Sequence, residues 1–176
     1  MSEKQRRGRN SKQRGAAAER SLAKLLSEKF NLPVKRVARS GALKFFAGEM
    51  VGQSDNYRGD LQLECGKKKI RIEVKTRVKL PEYIVGRDDK NRGRAGRIDN
   101  FGYILSLPEF IALLTKGDLP DKTRIETVST KKCKEMFKWF AQDDSDIVAT
   151  KETRKHKWFF VVKDNIIDKI GGKYKC

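Results

Sequence analysis

Hydrophobic and polar positions along the chain change period several times, and each change marks an element. In "AAAERSLAKLLSEKF" (16–30), Glu19, Leu22, Ala23, Leu26 and Phe30 recur at helical spacing behind Gly15, which predicts an amphipathic helix. Glu19 is out of place on that apolar stripe. Its carboxylate must sit at the rim of the core or face something cationic. After Pro33, "VKRVARS" (34–40) reads as a strand, and the glycine-punctuated stretch 41–59 reads as a loop.

Two alternating stretches follow, 60–64 and 69–78, around Gly66. Leu61 and Leu63 point one way while Asp60, Gln62 and Glu64 point the other. Ile70, Ile72, Val74 and Thr76 share one face; Lys69, Arg71, Glu73, Lys75 and Arg77 share the opposite one. The simplest turn places Gly66 and Lys67 at the tip of a hairpin. Cys65 then pairs with Lys68, Glu64 with Lys69, Gln62 with Arg71, and Asp60 with Glu73.

Residues 81–100 form a basic, glycine-rich stretch and read as a loop. "FGYIL" (101–105) reads as a strand. Ser106, Pro108 and Glu109 fit a capping box opening a short helix over 107–115. "TRIETV" (123–128) reads as a strand. In "KKCKEMFKWFAQ", Cys133, Met136, Phe137 and Phe140 mark a second amphipathic helix, with Lys131, Lys132, Lys134 and Lys138 off its stripe. "DIVAT" (146–150) and "KWFFVV" (157–162) read as buried strands. The order predicts a mixed α/β domain around a central sheet.

Charge adds a partner. The 176 residues hold 41 Lys+Arg against 23 Asp+Glu, a net charge of +18. Such an excess attracts polyanions. With no apolar run long enough to span a bilayer and no signal-peptide pattern, nucleic acid in the cytoplasm is the expected setting, and no membrane role is expected. Residues 1–14, with six basic side chains and one acid, read as a flexible basic arm ahead of a single domain, 15–176. The three cysteines stand far apart, and His156 is the lone histidine, in "ETRKHKW". A zinc site, a disulfide framework and a histidine-based triad are therefore not expected.

Against that basic background the carboxylates are informative. In the hairpin register Asp60 and Glu73 lie opposite each other, about 4.5–5.5 Å apart at Cβ, which repels unless a cation intervenes. A hard divalent ion with water ligands resolves the conflict. On the hairpin alone a solvated polar face is the simpler reading. Glu19, a third carboxylate on a helix that must pack on this sheet, moves the balance toward a metal-ion nuclease site.

The ordered set Glu19, Asp60 and Glu73-Val74-Lys75 resembles the PD-(D/E)XK nuclease superfamily. The resemblance implies a restriction-endonuclease-like core of helix, three-strand mixed sheet, helix and strand, with an inserted segment at about 79–128. More narrowly, "RGAAAERSLAKLLSEKFNLPVKRVARSGA", "GDLQLE", "IEVKTR" and "MFKWFAQDDSDIVATKETRKHKWFFVV" look like the archaeal-type Holliday junction resolvases and their phage-borne relatives. The resemblance covers roughly 15–77 and 131–163. A lone E-x-K occurs by chance; the ordered set is more specific.

By that resemblance Glu19, Asp60 and Glu73, with the Val74 backbone carbonyl, hold Mg²⁺, for which Mn²⁺ can substitute, and no organic cofactor is involved. Lys75 acts on the attacking water and the phosphate, and Ser40 lies near the scissile phosphate. Arg20 and Arg36 match basic positions that contact DNA. Arg14, Arg39, Arg77, Arg92, Arg94, Lys131 and Lys132 complete the basic side chains expected on the DNA backbone. The substrate implied is branched double-stranded DNA, nicked in pairs by a homodimer, in the host cytoplasm if the protein is phage-encoded. Two alternatives stay open: another PD-(D/E)XK nuclease, end-processing or restriction-like, and a non-catalytic basic nucleic-acid-binding protein. Two departures stand out. Gly59 occupies the place of the usual proline before the aspartate, and Asp55 is a competing carboxylate in the 41–59 loop.

Overall fold

A computed structural model describes residues 3–37, 60–65, 68–85, 96–120 and 125–174. Eight strands form one mixed sheet: β1 (Val34–Arg36), β2 (Leu61–Cys65), β3 (Lys68–Arg77), β4 (Gly96–Ile98), β5 (Gly102–Ser106), β6 (Glu126–Val128), β7 (Ile147–Glu152) and β8 (Phe159–Lys163). Their spatial order is β1-β2-β3-β7-β8-β5-β4-β6. The β3–β7 and β4–β6 pairs are parallel, and the others antiparallel. The helices are α1 (Glu3–Lys24), α2 (Glu82–Val85), α3 (Leu107–Lys116), α4 (Lys134–Asp143) and α5 (Asp164–Ile170). A π-helical turn, Leu25–Lys29, continues α1, and a 3-10 turn, Thr130–Cys133, leads into α4. The expected sequence of helix, three strands, helix and strand is therefore present as α1, β1-β2-β3, α4 and β7, compatible with a restriction-endonuclease-like core.

Strand alternation divides the apolar side chains between two layers. On one face Leu61, Leu63, Ile70, Ile72 and Val74 pack with Ala18, Leu22 and Leu26 of α1, and the same cluster takes in α3 and α5. On the other face Met136, Trp139 and Phe140 of α4 pack on Val148 and Val161. Leu22, Leu26, Leu61 and Ile72 are fully buried. Each contributes roughly 1.5–3 kcal/mol of transfer free energy. Phe110 of α3 stacks on Phe160 of β8, with centroids 4.1 Å apart.

The 79–128 segment extends this same sheet. Its strands β5, β4 and β6 add beyond β8, and α3 covers them from the α1 side. The capping box of α3 is present: the Ser106 amide donates to Glu109 Oε2 at 2.7 Å. Gly117, at φ 78°, closes the helix in the left-handed conformation. Where β5 meets β8, a Cβ on Gly102 would lie 2.0 Å from the Val162 carbonyl oxygen, so only glycine fits.

Several expectations need correcting. Helix α1 begins at Glu3, so most of the stretch expected as a flexible arm is helical backbone. The stretch contains no proline, and Lys, Arg and Gln have good intrinsic helix propensity. The stretch 81–100, expected as a loop, contains α2 and β4. Helix α5 was not anticipated; Ile166, Ile167 and Ile170 bury it. Strand β1 is seen over Val34–Arg36, and the 41–59 loop lies outside the described residues.

Candidate active site

The β2–β3 hairpin has the register that side-chain alternation predicts: Leu61 pairs with Ile72, Gln62 with Arg71, Leu63 with Ile70, Glu64 with Lys69 and Cys65 with Lys68. β2 is half the length of β3, so β3 loses its β2 partner beyond Ile72. The expected Asp60–Glu73 pair is not part of the ladder, because β2 begins at Leu61; Asp60 lies just beyond it. Its amide donates to the Ile72 carbonyl at 3.0 Å, and its Oδ2 accepts from the Val74 amide at 2.8 Å. A carboxylate thus stands where the next backbone carbonyl of β2 would have been, on the peptide joining Glu73 to Val74.

Glu73 faces the α4 side and is buried, its side chain 3% exposed. Sequence alternation placed it on a polar face; the structure covers that face, because β3 is interior, with β7 beside it and α4 above. A carboxylate so placed is tolerated only with charged or hydrogen-bonding partners. Lys75, on the same face and 20% exposed, ion-pairs with Glu73 Oε1. Asp60, bonded to the Val74 amide, and the Glu73–Lys75 pair therefore hold adjacent residues of β3.

Glu19 is placed differently. The buried side chains of α1 belong to the layer opposite Glu73, and Glu19 Oε2 accepts from Arg36 Nε of edge strand β1 at 2.9 Å. Among the described residues no group of three or more His, Cys, Asp or Glu is positioned to hold a metal ion. Asp60 and Glu73 offer the hard oxygen donors that suit a divalent cation completed by water. Glu19 would have to leave Arg36 to join them.

The remaining expected residues divide into three groups. Ser40, Arg39, Arg92 and Arg94, with the competing Asp55, lie outside the described residues. Arg14, Arg20, Lys131 and Lys132 are exposed, as a DNA contact requires. Arg77 and Arg36 are committed internally: Arg77 Nε donates to Glu135 Oε1 at 3.1 Å and its guanidinium lies 5.0 Å from the Trp139 ring centroid. Arg77 therefore ties β3 to α4.

Sequence reasoning missed two supports of this site and one buried neighbour. Asp146 Oδ2 accepts from the Arg71 amide at 2.9 Å and from Arg71 Nε at 3.3 Å, locking β7 beside β3. Thr150 pairs with Lys75 across the parallel ladder, and its buried hydroxyl has no hydrogen-bond partner among the described residues. Glu152, buried, pairs with Lys155, and its Oε1 accepts from the Leu80 amide at 3.1 Å. Those bonds, Lys155 first, hold its carboxyl below the usual range. The Asp146–Arg71, Thr150–Lys75 and Glu152–Leu80 relationships depend on the β3–β7 register, which no local pattern encodes; the Glu152–Lys155 pair is local.

The family described as "Phage putative PDDEXK endonuclease" matches residues 10–83. That segment contains Glu19, Asp60, Glu73 and Lys75 and ends just inside α2. It is less than half of the chain. The match supports a PD-(D/E)XK nuclease related to phage proteins. Searches of curated proteins and of solved structures found no match. Among the described residues no helix is long and apolar enough to cross a membrane.

Proposed function

We propose that the chain is a divalent-metal-dependent endodeoxyribonuclease, and that its preferred substrate is branched DNA of the four-way junction type. The observation that carries the nuclease reading is the gathering of Asp60, Glu73 and Lys75 at the point where β3 outruns β2, within the segment that matches the endonuclease family. The junction preference rests on the sequence resemblance over 15–77 and 131–163.

In this reading Asp60 and Glu73 hold Mg²⁺, with Glu19 as a third donor once released from Arg36. The ion supplies charge neutralisation at the phosphate and a more acidic bound water. Lys75 is placed to orient the attacking water or to neutralise developing charge. Burial of Glu73 keeps its carboxylate in one position and strengthens its interaction with any cation beside it. The exposed basic side chains Arg14, Arg20, Lys131 and Lys132 hold the DNA backbone, so binding is steeply salt-dependent and nearly blind to sequence. Two copies, one site each, would produce paired nicks.

The test is a cleavage assay with and without Mg²⁺ on a labelled four-way junction beside a matched linear duplex, with Glu73→Gln as control. Symmetric nicks on the junction alone, lost in the variant, establish the resolvase. Cutting of both substrates keeps the nuclease and removes the junction preference. Tight binding without cutting in Mg²⁺ or Mn²⁺ replaces the enzyme with a basic nucleic-acid-binding protein.

A further inference from the structure

Val78 follows the last residue of β3 and is 88% exposed, where the next most exposed large apolar side chain among the described residues, Leu119, reaches 39%. Single exposed apolar residues are ordinary on protein surfaces. Two features set this one apart.

The first is that its backbone is held on both sides. The Arg77 carbonyl accepts from the Thr153 amide at 2.8 Å and from the Thr153 hydroxyl at 3.0 Å. The Leu80 amide donates to the buried Glu152, and the Leu80 side chain is itself buried. The side chain of Val78 is therefore presented to solvent by a fixed main chain.

The second is its surroundings. Val78 lines a cleft with Arg14, Glu152, Thr153, Arg154 and Lys155. The one carboxylate there, Glu152, is neutralised by Lys155 and the Leu80 amide. Arg14 and Arg154 are exposed and make no ion pair among the described residues. The cleft is thus a cationic rim around a single protruding apolar side chain. Three residues of extended chain separate Val78 from Lys75, about 10 Å. That is a few base steps of a strand.

We propose that Val78 is a wedge that inserts at a base step a few nucleotides from the cleaved phosphate, with Arg14 and Arg154 holding the phosphates around that step. This rests on the nuclease reading above. An apolar wedge on a rigid support unstacks and kinks DNA, and pliable or already open steps yield most easily. A branch point is such a step, so Val78 supplies a physical reason for selecting branched over continuous duplex.

The experiment uses the full chain in EDTA, where binding is read without cutting. Four-way junctions and matched duplexes carry 2-aminopurine at successive positions, and its fluorescence reports unstacking. The wild type is expected to raise the fluorescence at one or two positions. Val78→Ser should keep Kd within about twofold, as for an exposed substitution, and lose most of that rise. Val78→Ile should retain it. Arg154→Ala should weaken binding to all DNA alike and lower the salt slope by about 1. An undiminished rise in Val78→Ser, or binding by the wild type with no rise at any position, overturns the wedge and leaves the nuclease standing. Absence of DNA binding by the wild type overturns both.

Discussion

Asp60 Oδ2 accepts a hydrogen bond from the Val74 amide at 2.8 Å, one peptide from Glu73. One carboxylate therefore completes a strand ladder and stands in the proposed site. Two substitutions separate these roles. Asp60→Asn keeps an acceptor oxygen for the amide and loses the charge; it should fold with near wild-type stability and not cleave. Asp60→Ala removes the acceptor as well and should cost about 1.5–3 kcal/mol, the range for a hydrogen bond to a charged group. Urea unfolding of both variants beside the cleavage assay reads the two effects. Full cleavage by Asp60→Asn would take Asp60 out of the reaction.

Lys75 supplies the cation that pairs with Glu73, and Glu73 is the more deeply buried of the two. Removing the cation should therefore hurt more than neutralising the acid. Lys75→Met is expected to cost up to about 3–5 kcal/mol, because a buried carboxylate loses its neighbouring cation, whereas Glu73→Gln should cost clearly less. Mg²⁺ should raise the Tm of Lys75→Met more than that of the wild type, since no lysine competes for the carboxylate, and leave Glu73→Gln unmoved. Equal Mg²⁺ shifts in all three proteins would place the ion elsewhere.

The hairpin was legible because a strand's period of two leaves one register that buries Leu61, Leu63, Ile70 and Ile72 together, with Cys65 opposite Lys68 as expected; the turn expected at Gly66-Lys67 lies outside the described residues. The capping box at Ser106 was legible for the same local reason. What sequence could not supply was the third dimension. That Glu73 is buried follows from α4 covering its face and β7 lying beside β3, both separated from it by tens of residues. That Glu19 pairs with Arg36 follows from which face α1 takes. Helix α5 escaped notice at seven residues, too short for periodicity to speak, although Ile166, Ile167 and Ile170 lie on one side of it.

Gly102 tests whether the inserted segment is integral to the sheet. An alanine Cβ there would press on the Val162 carbonyl at 2.0 Å, a backbone atom that cannot rotate away. β5 would have to separate from β8, and with it the attachment of β4 and β6. Gly102→Ala should lower stability by about 1–3 kcal/mol or more, read as a fall in the urea midpoint of the single unfolding transition. An unchanged midpoint would mean that the β5–β8 pairing contributes little to the fold.

Thr150 sits beside Lys75 in the ladder with a buried hydroxyl that has no partner among the described residues. Such a group carries a desolvation cost of about 1–3 kcal/mol. Thr150→Val keeps the shape and removes the hydroxyl, so it should raise stability by about 1 kcal/mol. Thermal melts of the two proteins decide it. A loss of stability would show that the hydroxyl is bonded in solution, with a buried water as the candidate partner beside Lys75.

Glu152 holds together the end of the sheet that carries Val78, and its contribution should depend on pH with a definite sign. Lys155 and the Leu80 amide hold its folded carboxyl below the ordinary value of 4.5. The folded state therefore binds this proton less readily than the unfolded chain. Stability from the group is fully present above the ordinary value, and it is lost as pH falls through the lower folded one. Glu152→Gln removes that linkage. The Tm difference between wild type and variant should be constant from neutral pH down to about 5, then shrink as the pH falls below 4.5. A difference that instead grew in acid would mean that Glu152 is protonated in the folded protein, and the anchoring of Leu80 and Val78 would need another cause.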